Sequence, residues 1–277
     1  MQFRAPAKIN LSFRILGRRA DGFHDIDTLM APISLHDSLT ITRLKDAGKI
    51  DFVCTDSSLP GGDENLAVRA ARLFLGITRS RAGVRIALEK NIPHGAGLGG
   101  GSSDAATVLL GLNQLLAAEW SEIRLAEVAA EIGSDVPFFI YQSAARCRGR
   151  GDIVTPIKLP KTVSLLLLKP LFGVPTPWAY QRWKESKKLP EIRYQAQEFS
   201  GLDLVNDLER SVFEKFIFMG HLKMWLLAQP EARAAIMSGS GSTLIAILRD
   251  GADAETLARR AKIELDSELW TCACRTM

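Results

Sequence analysis

The chain has 277 residues, of which 47% are hydrophobic and 24% charged, values typical of a globular protein with room for two packed lobes. Its net charge of +4 is spread along the sequence without long blocks of lysine or arginine. This charge is compatible with an anionic small substrate and is too weak to indicate nucleic-acid binding. No apolar run could span a bilayer, and a strand pattern begins almost at once, without a secretory or transit segment. We therefore expect a cytoplasmic protein without a membrane partner.

The four cysteines and four histidines are dispersed along the chain. Neither zinc-ligand spacing nor a C-x-x-C redox pair occurs among them. We therefore expect any metal ion to arrive with a nucleotide rather than to be held by a cluster of side chains.

The first predicted element is a strand over residues 7–15, where apolar and polar residues alternate with period two. Ile9, Leu11 and their apolar neighbours face one side, and Lys8 and Asn10 lie side by side on the other. From the residues alone, a polar face in solvent is the more common arrangement. A cation beside an amide in a functional site is the alternative.

The next segment, residues 17–24, is predicted to be a loop with a turn at Asp21-Gly22, followed by Phe23 and His24. An aromatic side chain on a loop can stack on a base, although it more often packs into the nearest core. Further strands are predicted over 26–33, 38–42, 49–54 and 83–89, and a helix over 65–75.

Residues 93–107 are rich in glycine and lead into a helix predicted over 103–116. Glycine permits positive φ and lets backbone N–H groups approach an anion closely. The N-terminus of the helix adds free N–H groups and the positive end of its dipole. The alternative is a glycine-rich turn that only caps the helix. We predict a polyphosphate site formed by Pro93, Gly95, Gly97, Gly99, Gly100, Gly101, Ser102 and Ser103.

Two common nucleotide motifs do not fit this stretch. It contains G-x-G-x-x-G, but five residues separate it from the preceding strand, and no second strand ends in an acidic residue at the distance that a dinucleotide fold requires. A Walker A loop ends in Gly-Lys-Ser/Thr, and this loop contains no lysine. The sequence therefore predicts a different class of nucleotide-binding protein.

A second helix is predicted over 121–132, opened by Ser121 and ended by Gly133. Asp135 follows on a tight connection to an apolar strand predicted over 138–141. This carboxylate either caps the local backbone in an Asx turn or serves as a catalytic group, and the residues alone do not decide between them.

A change in composition near residue 155 marks a predicted boundary between the two lobes. Beyond it we predict a strand over 161–169, a proline-rich loop, a helix that carries Trp178, Tyr180 and Trp183, and a surface loop over 185–201. A helix over 204–218, a Gly/Ser loop over 237–242, a strand over 243–248, a helix over 254–263 and a short tail complete the chain.

Six separated motifs together resemble the GHMP small-molecule kinase superfamily over nearly the whole chain. They are Ala-Pro-Ala-Lys-Ile-Asn-Leu at 5–11, Asp-Gly-Phe-His at 21–24, Pro-His-Gly-Ala-Gly-Leu-Gly-Gly-Gly-Ser-Ser-Asp-Ala-Ala at 93–106, Gly-Ser-Asp-Val-Pro-Phe at 133–138, Pro-Thr-Pro at 175–177 and Ser-Gly-Ser-Gly-Ser at 238–242. The triple glycine before two serines resembles the branch that acts on a cytidine-diphosphate-linked polyol, because mevalonate and homoserine kinases usually have Gly-Leu-Gly-Ser-Ser there.

The resemblance implies an α+β fold of two lobes with the active site in the cleft between them. Residues 1–155 would form an ATP-binding lobe like a domain of a ribosomal protein, with an unusual left-handed β-α-β crossover. Residues 156–277 would form a ferredoxin-like lobe on the substrate side.

The resemblance also implies a reaction, the transfer of the ATP γ-phosphoryl group to the 2-hydroxyl of a cytidyl-diphosphate-linked methylerythritol, in a route to isoprenoids. Asp135 would take the hydroxyl proton, and Lys8 would orient this pair and offset the developing charge. Asn10 would contact the substrate.

At the cytidine end, Phe23 and Tyr180 would sandwich the base and His24 would recognise its edge. Phe23 stands where the family more commonly has tyrosine, which preserves stacking but removes a phenolic hydrogen bond. Thr176 and Gly239, in the two later motifs, complete the implied substrate-binding residues.

At the nucleotide end, Asn65, Leu66 and Lys90 match positions that line the adenine pocket. Mg²⁺ is expected with ATP, and Ser103 is the one candidate ligand among the motifs.

Two other functions stay open at this stage. A GHMP kinase with another polyol or alcohol substrate is suggested by Phe23 and by the divergent loop at 185–201. A nucleotide- or RNA-binding protein without activity is suggested by the ribosomal-protein-like lobe, although Lys8, Asp135 and the lack of a basic run argue against it. The oligomeric state is also open.

Overall fold

The computed structural model describes residues 1–277, which form twelve strands and eight helices. The first half of the chain contains β1 (Gln2–Arg18), β2 (His24–Leu44), β3 (Ile50–Cys54), α1 (Leu66–Thr78), β4 (Gly83–Glu89), α2 (Gly100–Leu115), α3 (Glu122–Ile132), α4 (Val136–Ile140), β5 (Ala145–Gly149) and β6 (Ile153–Pro156). The second half contains β7 (Ser164–Lys169), α5 (Thr176–Arg182), β8 (Gln197–Phe199), β9 (Leu202–Asn206), α6 (Glu209–Lys215), α7 (Ile217–Leu227), β10 (Ala232–Met237), β11 (Leu244–Leu248), α8 (Ala254–Glu264) and β12 (Trp270–Arg275).

The first sheet has eight strands in the order β3-β4-β2-β1-β9-β8, with β5 and β6 attached to β2. Its centre is the long antiparallel pair of β1 and β2, whose register shifts at three places, including Pro6/Lys8 and Asn10/Ser12. The parallel pair β3 and β4 is joined through α1, which is the β-α-β unit that the resemblance implies. The handedness of that crossover stays a prediction.

The second sheet has four strands in the order β10-β11-β7-β12, all antiparallel. In chain order its elements run strand, helices, strand, strand, helix, strand. This βαββαβ sequence with the last strand beside the first is the ferredoxin-like arrangement. The expected α+β fold of two lobes is confirmed.

The two sheets pack face to face, and helices cover their outer faces. Residues that alternate along β7 show the layering, because Leu165 and Leu167 belong to the core between the sheets while Leu166 and Leu168 belong to the core under α5 to α8. The largest core, with 28 buried residues, lies between the first sheet and α1 to α4. The predicted alternation of β1 holds here, since Ile9 and Leu11 enter the core between the sheets.

The chain crosses between the lobes more than once. Strands β8 and β9 lie in the second half of the sequence, yet β9 pairs in parallel with β1 and so extends the first sheet. The boundary between residues 155 and 156 stays a prediction, and these two strands form the exception within 156–277.

One predicted strand is wrong. Residues 138–141 are predicted to form a strand, but α4 spans Val136–Ile140, and all five of its residues are buried. A short apolar run has the same appearance in a buried strand and in a buried helix. Pro137 near the first position of α4 is a helix-start signal that favours the helix.

The second half contains the remaining corrections. The helix predicted over 204–218 begins as strand β9 and is then divided into α6 and the start of α7. The expected surface loop at 185–201 ends in β8 and buries Ser186 and Ile192. The short tail forms β12, and the strands predicted at 26–33 and 38–42 are one strand, β2. None of the helices combines the length and the apolar character that crossing a bilayer requires.

Candidate active site

A cleft of about 1180 Å³ opens between the two lobes. It brings together every residue that the sequence predicts for the site except Ser103, from Lys8 in β1 to Gly239 in the second lobe. Ser103 is fully buried and does not line the cleft. The functional roles of all these residues stay predictions.

The glycine-rich loop runs along one wall of the cleft and ends at α2, which begins at Gly100 rather than at residue 103. Gly95, Gly97 and Gly99 have φ of 63°, 73° and 70°, in the left-handed region that favours glycine. Gly99 is the N-cap of α2, and no side chain caps the helix. The first N–H groups of α2 are therefore left for a ligand, at the positive end of the helix dipole.

Close packing also requires glycine at two of these positions. A methyl carbon added to Gly97 would lie 2.2 Å from the carbonyl oxygen of Ser238, and one added to Gly99 would lie 3.0 Å from Cγ of Lys8. The backbone N–H of Lys8 donates to the carbonyl of Leu98 at 2.9 Å. Strand β1 and the loop are therefore held directly against each other.

Lys8, Asn10 and Asp135 meet on the floor of the cleft. The ammonium of Lys8 donates to Oδ1 of Asn10 at 2.6 Å and lies 3.7 Å from Oδ2 of Asp135. The amide of Asn10 donates in turn to Oγ1 of Thr28 at 2.8 Å. Asp135 precedes α4 and makes no side-chain cap hydrogen bond with it, so the Asx-turn interpretation of this residue is not supported. Its carboxylate stays accessible from the cleft.

The part of the polar face of β1 that carries Lys8 and Asn10 does not lie in solvent, whereas Arg14 farther along the strand is exposed. Lys8 and Asn10 are 4% and 1% exposed, although the more common arrangement would leave them outside. The register shifts at Pro6/Lys8 and Asn10/Ser12 occur on either side of this pair. Irregularities of this kind redirect side chains next to functional sites, and they place both residues under the loops of the cleft.

The opposite end of the cleft is aromatic. The rings of His24 and Tyr180 are tilted by 35° with centroids 5.1 Å apart, and Trp183 meets His24 edge-on at 6.0 Å. Burial, followed by the nearby charges of Arg18 and Lys184, lowers the pKa of His24. The imidazole is therefore neutral at pH 7 and can both donate and accept a hydrogen bond.

Phe23 lies at the rim of the same end and is half exposed. The guanidinium of Arg150 stacks over its ring at 5.2 Å and is held by Asp152 at 3.1 Å. Stacking on a cation orients the phenyl ring without a phenolic hydroxyl.

Lys90 belongs to a buried charged cluster behind the glycine loop. Its ammonium pairs with Asp37 and with Asp104, the latter at 2.8 Å. Asp37 also accepts from the backbone N–H groups of Asn91 and Ile92 at 2.6 and 2.8 Å, which ties the start of the loop to β2. Burial raises the pKa of Asp104 to about 7, against the opposing effect of Lys90. The cluster has one ammonium for two carboxyl groups.

Asn65 caps α1, and this use of its side chain matters for the predicted adenine pocket. Its Oδ1 accepts from the N–H of Ala67 at 2.9 Å and its amide donates to the carbonyl of Pro60. Asn65 and the adjacent Leu66 both line the cleft. The cap therefore fixes the position of the wall that these residues form.

No group of three or more acidic, histidine or cysteine side chains is arranged to hold a metal ion. The hydroxyl of Ser103 and Oδ1 of Asp104 are buried without a hydrogen-bond partner at the first turn of α2. Magnesium in phosphate-transfer sites takes only one or two protein oxygens and otherwise binds phosphate and water. Asp104 lines the cleft and Ser103 does not, so the carboxylate of Asp104, rather than the hydroxyl of Ser103, fits a Mg²⁺ that arrives with a nucleotide.

The second Gly/Ser loop, residues 238–242, closes the cleft from the other lobe. A methyl carbon on Gly239 would lie 3.3 Å from Oδ1 of Asn10 and 3.5 Å from Nζ of Lys8. Thr176, at the start of α5, shares a hydrogen bond of 2.7 Å with Ser240. The loop and α5 therefore form one wall beside the Lys8–Asn10 pair.

Sequence reasoning missed several residues of this site. Trp183 lies one turn after Tyr180, so the same helical pattern could have assigned it to the cleft. Thr28, Arg150 and Asp37 have no local signal, because only the pairing of distant strands brings them to the site.

A model of the family described as "GHMP kinases N terminal domain" matches residues 65–143. A relative from Methylacidiphilum infernorum (isolate V4), a 4-diphosphocytidyl-2-C-methyl-D-erythritol kinase, is 45% identical over 88% of this chain and 84% of its own. A relative of the same name from Geobacter sp. (strain M21) is 38% identical over 100% of this chain and 99% of its own.

Solved structures agree with these sequence relatives. A crystal structure of 4-(cytidine 5'-diphospho)-2C-methyl-D-erythritol kinase superposes with a TM-score of 0.81 at 38% identity, over 100% of this chain and 99% of that one. Homoserine kinase from Cytophaga hutchinsonii, at 19% identity and a TM-score of 0.72 over 100% and 93% of the two chains, shares the fold alone. The chain therefore belongs to the 4-diphosphocytidyl-2-C-methyl-D-erythritol kinase family of the GHMP kinases.

Proposed function

We propose that this chain transfers the γ-phosphoryl group of ATP to the 2-hydroxyl of 4-diphosphocytidyl-2-C-methyl-D-erythritol, a step toward isoprenoids. Its family makes it a kinase with an alcohol acceptor. The observation that carries the assignment of residues is the pairing of Lys8 with Asp135, 3.7 Å apart, on the floor of a cleft that also contains a glycine-rich loop.

The glycine-rich loop and the first turn of α2 bind the phosphates of ATP. Positive φ at Gly95 and Gly97 turns the backbone toward the cleft, and the uncapped N-terminus of α2 adds N–H groups. Pro93, Gly99, Gly100, Gly101 and Ser102 complete this wall, and Asn65, Leu66 and Lys90 bound the adenine end. Mg²⁺ would neutralise phosphate charge when it binds with ATP, and Asp104, with the buried Ser103 beside it, would hold the ion on the protein side.

Asp135 accepts the proton of the acceptor hydroxyl as its oxygen bonds to the γ-phosphorus and the bond to the departing ADP breaks. Lys8 holds Asp135 in place and offsets the negative charge that develops around the transferred group. Asn10 orients the ammonium of Lys8 through the 2.6 Å hydrogen bond. The reaction thus depends on positioning and electrostatics rather than on covalent chemistry by the protein.

The cytidine moiety binds at the aromatic end. Phe23 and Tyr180 stack on the base, and the neutral imidazole of His24 hydrogen-bonds to its edge. Thr176 and Gly239 line the segment between the base and the catalytic pair. The single cleft therefore offers one end to a nucleotide-linked acceptor and the other end to ATP.

Replacement of Asp135 by Asn tests the proposed base. We expect kcat for ATP-dependent phosphorylation of the cytidyl substrate to fall by about 100-fold to 10,000-fold, the usual contribution of general base catalysis, because the amide cannot accept the proton. Asp250→Asn, at a position 95% exposed on the surface, is the matched control and keeps wild-type activity. Activity of Asp135→Asn within a few-fold of wild type would exclude Asp135 as the base.

A substrate panel tests the acceptor. Purified wild-type protein is offered the cytidyl substrate, mevalonate and homoserine with ATP and Mg²⁺, and formation of ADP is measured. We expect turnover of the cytidyl substrate alone, because only that compound can occupy the aromatic end. Turnover of mevalonate or homoserine without the cytidyl substrate would indicate a GHMP kinase of different specificity.

A further inference from the structure

The segment 206–209, which runs from the last residue of β9 to the first residue of α6, makes several buried polar contacts. Asn206 and Glu209 are 4% and 2% exposed. Neither lines the cleft, and no motif of the sequence analysis includes them.

Both polar groups of the Asn206 side chain, the amide NH₂ and the carbonyl oxygen, are hydrogen-bonded. Its amide donates two hydrogen bonds, both of 2.7 Å, to the carbonyl oxygens of Met237 and Gly239. Its Oδ1 accepts from the backbone N–H of Leu208 at 2.9 Å. A primary amide supplies two N–H donors and an acceptor on one planar group, so no smaller polar side chain can satisfy all three partners.

The same segment is attached to β1. Asn206 pairs with Phe13 in the parallel ladder of β1 and β9. Asp207 donates its N–H to the carbonyl of Phe13 at 2.9 Å and accepts from the N–H of Ile15 at 2.8 Å. Because Lys8 and Asn10 lie on β1, Asn206 is fixed to the strand that carries them.

Both backbone polar groups of Met237, its N–H and its carbonyl, are hydrogen-bonded to the segment 206–209. While Asn206 binds its carbonyl, Glu209 accepts from its N–H at 3.0 Å and is itself paired with buried Lys223 at 2.6 Å. A buried charged hydrogen bond of this kind is stronger than a neutral one. The start of the second Gly/Ser loop therefore has little freedom to move relative to β1.

We propose that Asn206 is a positioning residue for phosphoryl transfer. By holding the carbonyls of Met237 and Gly239, it presses the backbone of Gly239 against Asn10 and Lys8, where a methyl carbon would have only 3.3 and 3.5 Å of space. It thereby sets the wall against which the acceptor hydroxyl is aligned with Asp135. The inference rests on the proposed function, because it assigns that alignment to the acceptor side of the cleft.

The variant Asn206→Asp tests this. An ionised carboxylate has the same shape but faces the two carbonyl oxygens without a donor, so Gly239 moves away from the Lys8–Asn10 pair. We expect kcat for the cytidyl substrate to fall by about 100-fold, since a misplacement of about 1 Å has this cost. The KM for ATP is expected to rise by no more than a few-fold, because Asn206 reaches the glycine-rich loop only through the hydrogen bond of Ser238 to the carbonyl of Gly97.

A pH series separates positioning from general damage. Once protonated, the carboxyl group of the Asn206→Asp variant can donate one hydrogen bond to one of the carbonyls, so the ratio of variant to wild-type kcat rises as the pH is lowered from 8 to 6. Thr276→Val is the matched control, because Thr276 is equally buried, accepts from the N–H of Val163 at 2.9 Å and lies away from the cleft. Its kcat ratio to wild type is expected to stay near one at every pH.

If Asn206→Asp does not fold, Asn206→Ser is tested in its place. Its hydroxyl retains one hydrogen-bond donor, so we expect kcat to fall by about 10-fold. A kcat within about two-fold of wild type in the folded variant overturns the proposal. So does an equal loss in Thr276→Val, or a kcat ratio that does not change with pH. Wild-type protein inactive on the cytidyl substrate would instead contradict the proposed function, and the Asn206 variants are then assayed with the alcohol that the substrate panel identifies.

Discussion

The two Gly/Ser loops of the cleft have similar compositions, but they differ in whether their polar groups are hydrogen-bonded within the protein. In the loop of residues 238–242 each serine hydroxyl is bonded to protein: Ser238 to the carbonyl of Gly97, Ser240 to Thr176 and Ser242 to the carbonyl of Phe172. The glycine-rich loop leads instead into the uncapped α2, in whose first turn the hydroxyl of Ser103 has no partner. Uncapped backbone N–H groups distinguish the loop that is proposed to bind phosphate, and satisfied hydroxyl groups distinguish the loop that serves as a wall.

The charged groups behind the loops differ as well. Glu209 and Lys223 form a balanced pair behind the second loop, whereas Lys90 serves two carboxyl groups, Asp37 and Asp104, behind the first. Burial raises the pKa of Glu209 against the effect of Lys223, but that pair has no second carboxyl group, whereas Asp104 shares one ammonium with Asp37. The wall is therefore backed by a pair whose charges match, and the phosphate loop by a cluster with one ammonium for two carboxyl groups.

The largest effect is expected where the loops touch. Gly97→Ala places a methyl carbon 2.2 Å from the carbonyl oxygen of Ser238 at a φ of 73°, so the backbone of one loop must move. We expect the free energy of unfolding to fall by about 3 kcal/mol, measured by urea denaturation. Gly95→Ala is the matched control, because its φ of 63° is similar but nothing lies within 4 Å, and the expected loss is about 1 kcal/mol. Equal losses would show that backbone conformation, and not contact between the loops, requires the glycines.

The second effect concerns the unbalanced cluster. Because the pKa of Asp104 is raised to about 7 in the folded protein, the folded state favours the protonated carboxyl. The resulting stability is complete below the ordinary pKa of 3.8 and is lost as the pH rises through about 7. Asp104→Asn removes this dependence. We expect its advantage in free energy of unfolding over wild type to grow from pH 5 to pH 7 by on the order of 1 kcal/mol per pH unit, measured by urea denaturation.

Asp250→Asn, on the surface, is the control for this series and should follow the wild-type curve. Curves for Asp104→Asn and wild type that stay parallel from pH 5 to pH 8 would contradict the assignment of the titrating group to this cluster.

The smallest effect tests the hydrogen bond between the loops. Ser238→Ala removes the bond to the carbonyl of Gly97, and Ser242→Ala removes the bond to Phe172. Each is expected to lower the free energy of unfolding by about 1 kcal/mol. Only Ser238→Ala should also raise the KM for ATP, by a few-fold, because it alone releases the glycine-rich loop. A similar rise in Ser242→Ala would show that the two loops act as one unit toward ATP.

The elements that the sequence predicts well have a clear period or a clear cap. The alternation around Ile9 and Leu11, the cap at Asn65 and the helix start at Ser121 all agree with the structure. The failures are short or mixed segments. Leu202 and Leu204 alternate over only five residues before a helical pattern begins, and β12 is recognisable as a strand only beside β7.

The residues of the site likewise divide into those that have a local sequence signal and those that have none. Motifs predict Lys8, Asp135 and the glycine-rich loop, because each lies in a local pattern with its own signal, and the fold gathers them in one cleft. Asp37 and Asn206 have no such signal. Their importance comes from backbone groups that lie next to them only after distant strands have paired, and sequence periodicity contains no information about that pairing.

The pairing of β9 with β1 has a consequence for how the protein is made. Strand β1 is synthesised first, yet one of its edges is completed only by Val205 and Asn206, which lie far into the second half of the chain. During synthesis that edge is open to any strand that approaches it, which is the usual origin of misassembly in chains of this size. That edge of the strand that carries Lys8 and Asn10 can therefore be completed only after residue 206 has left the ribosome.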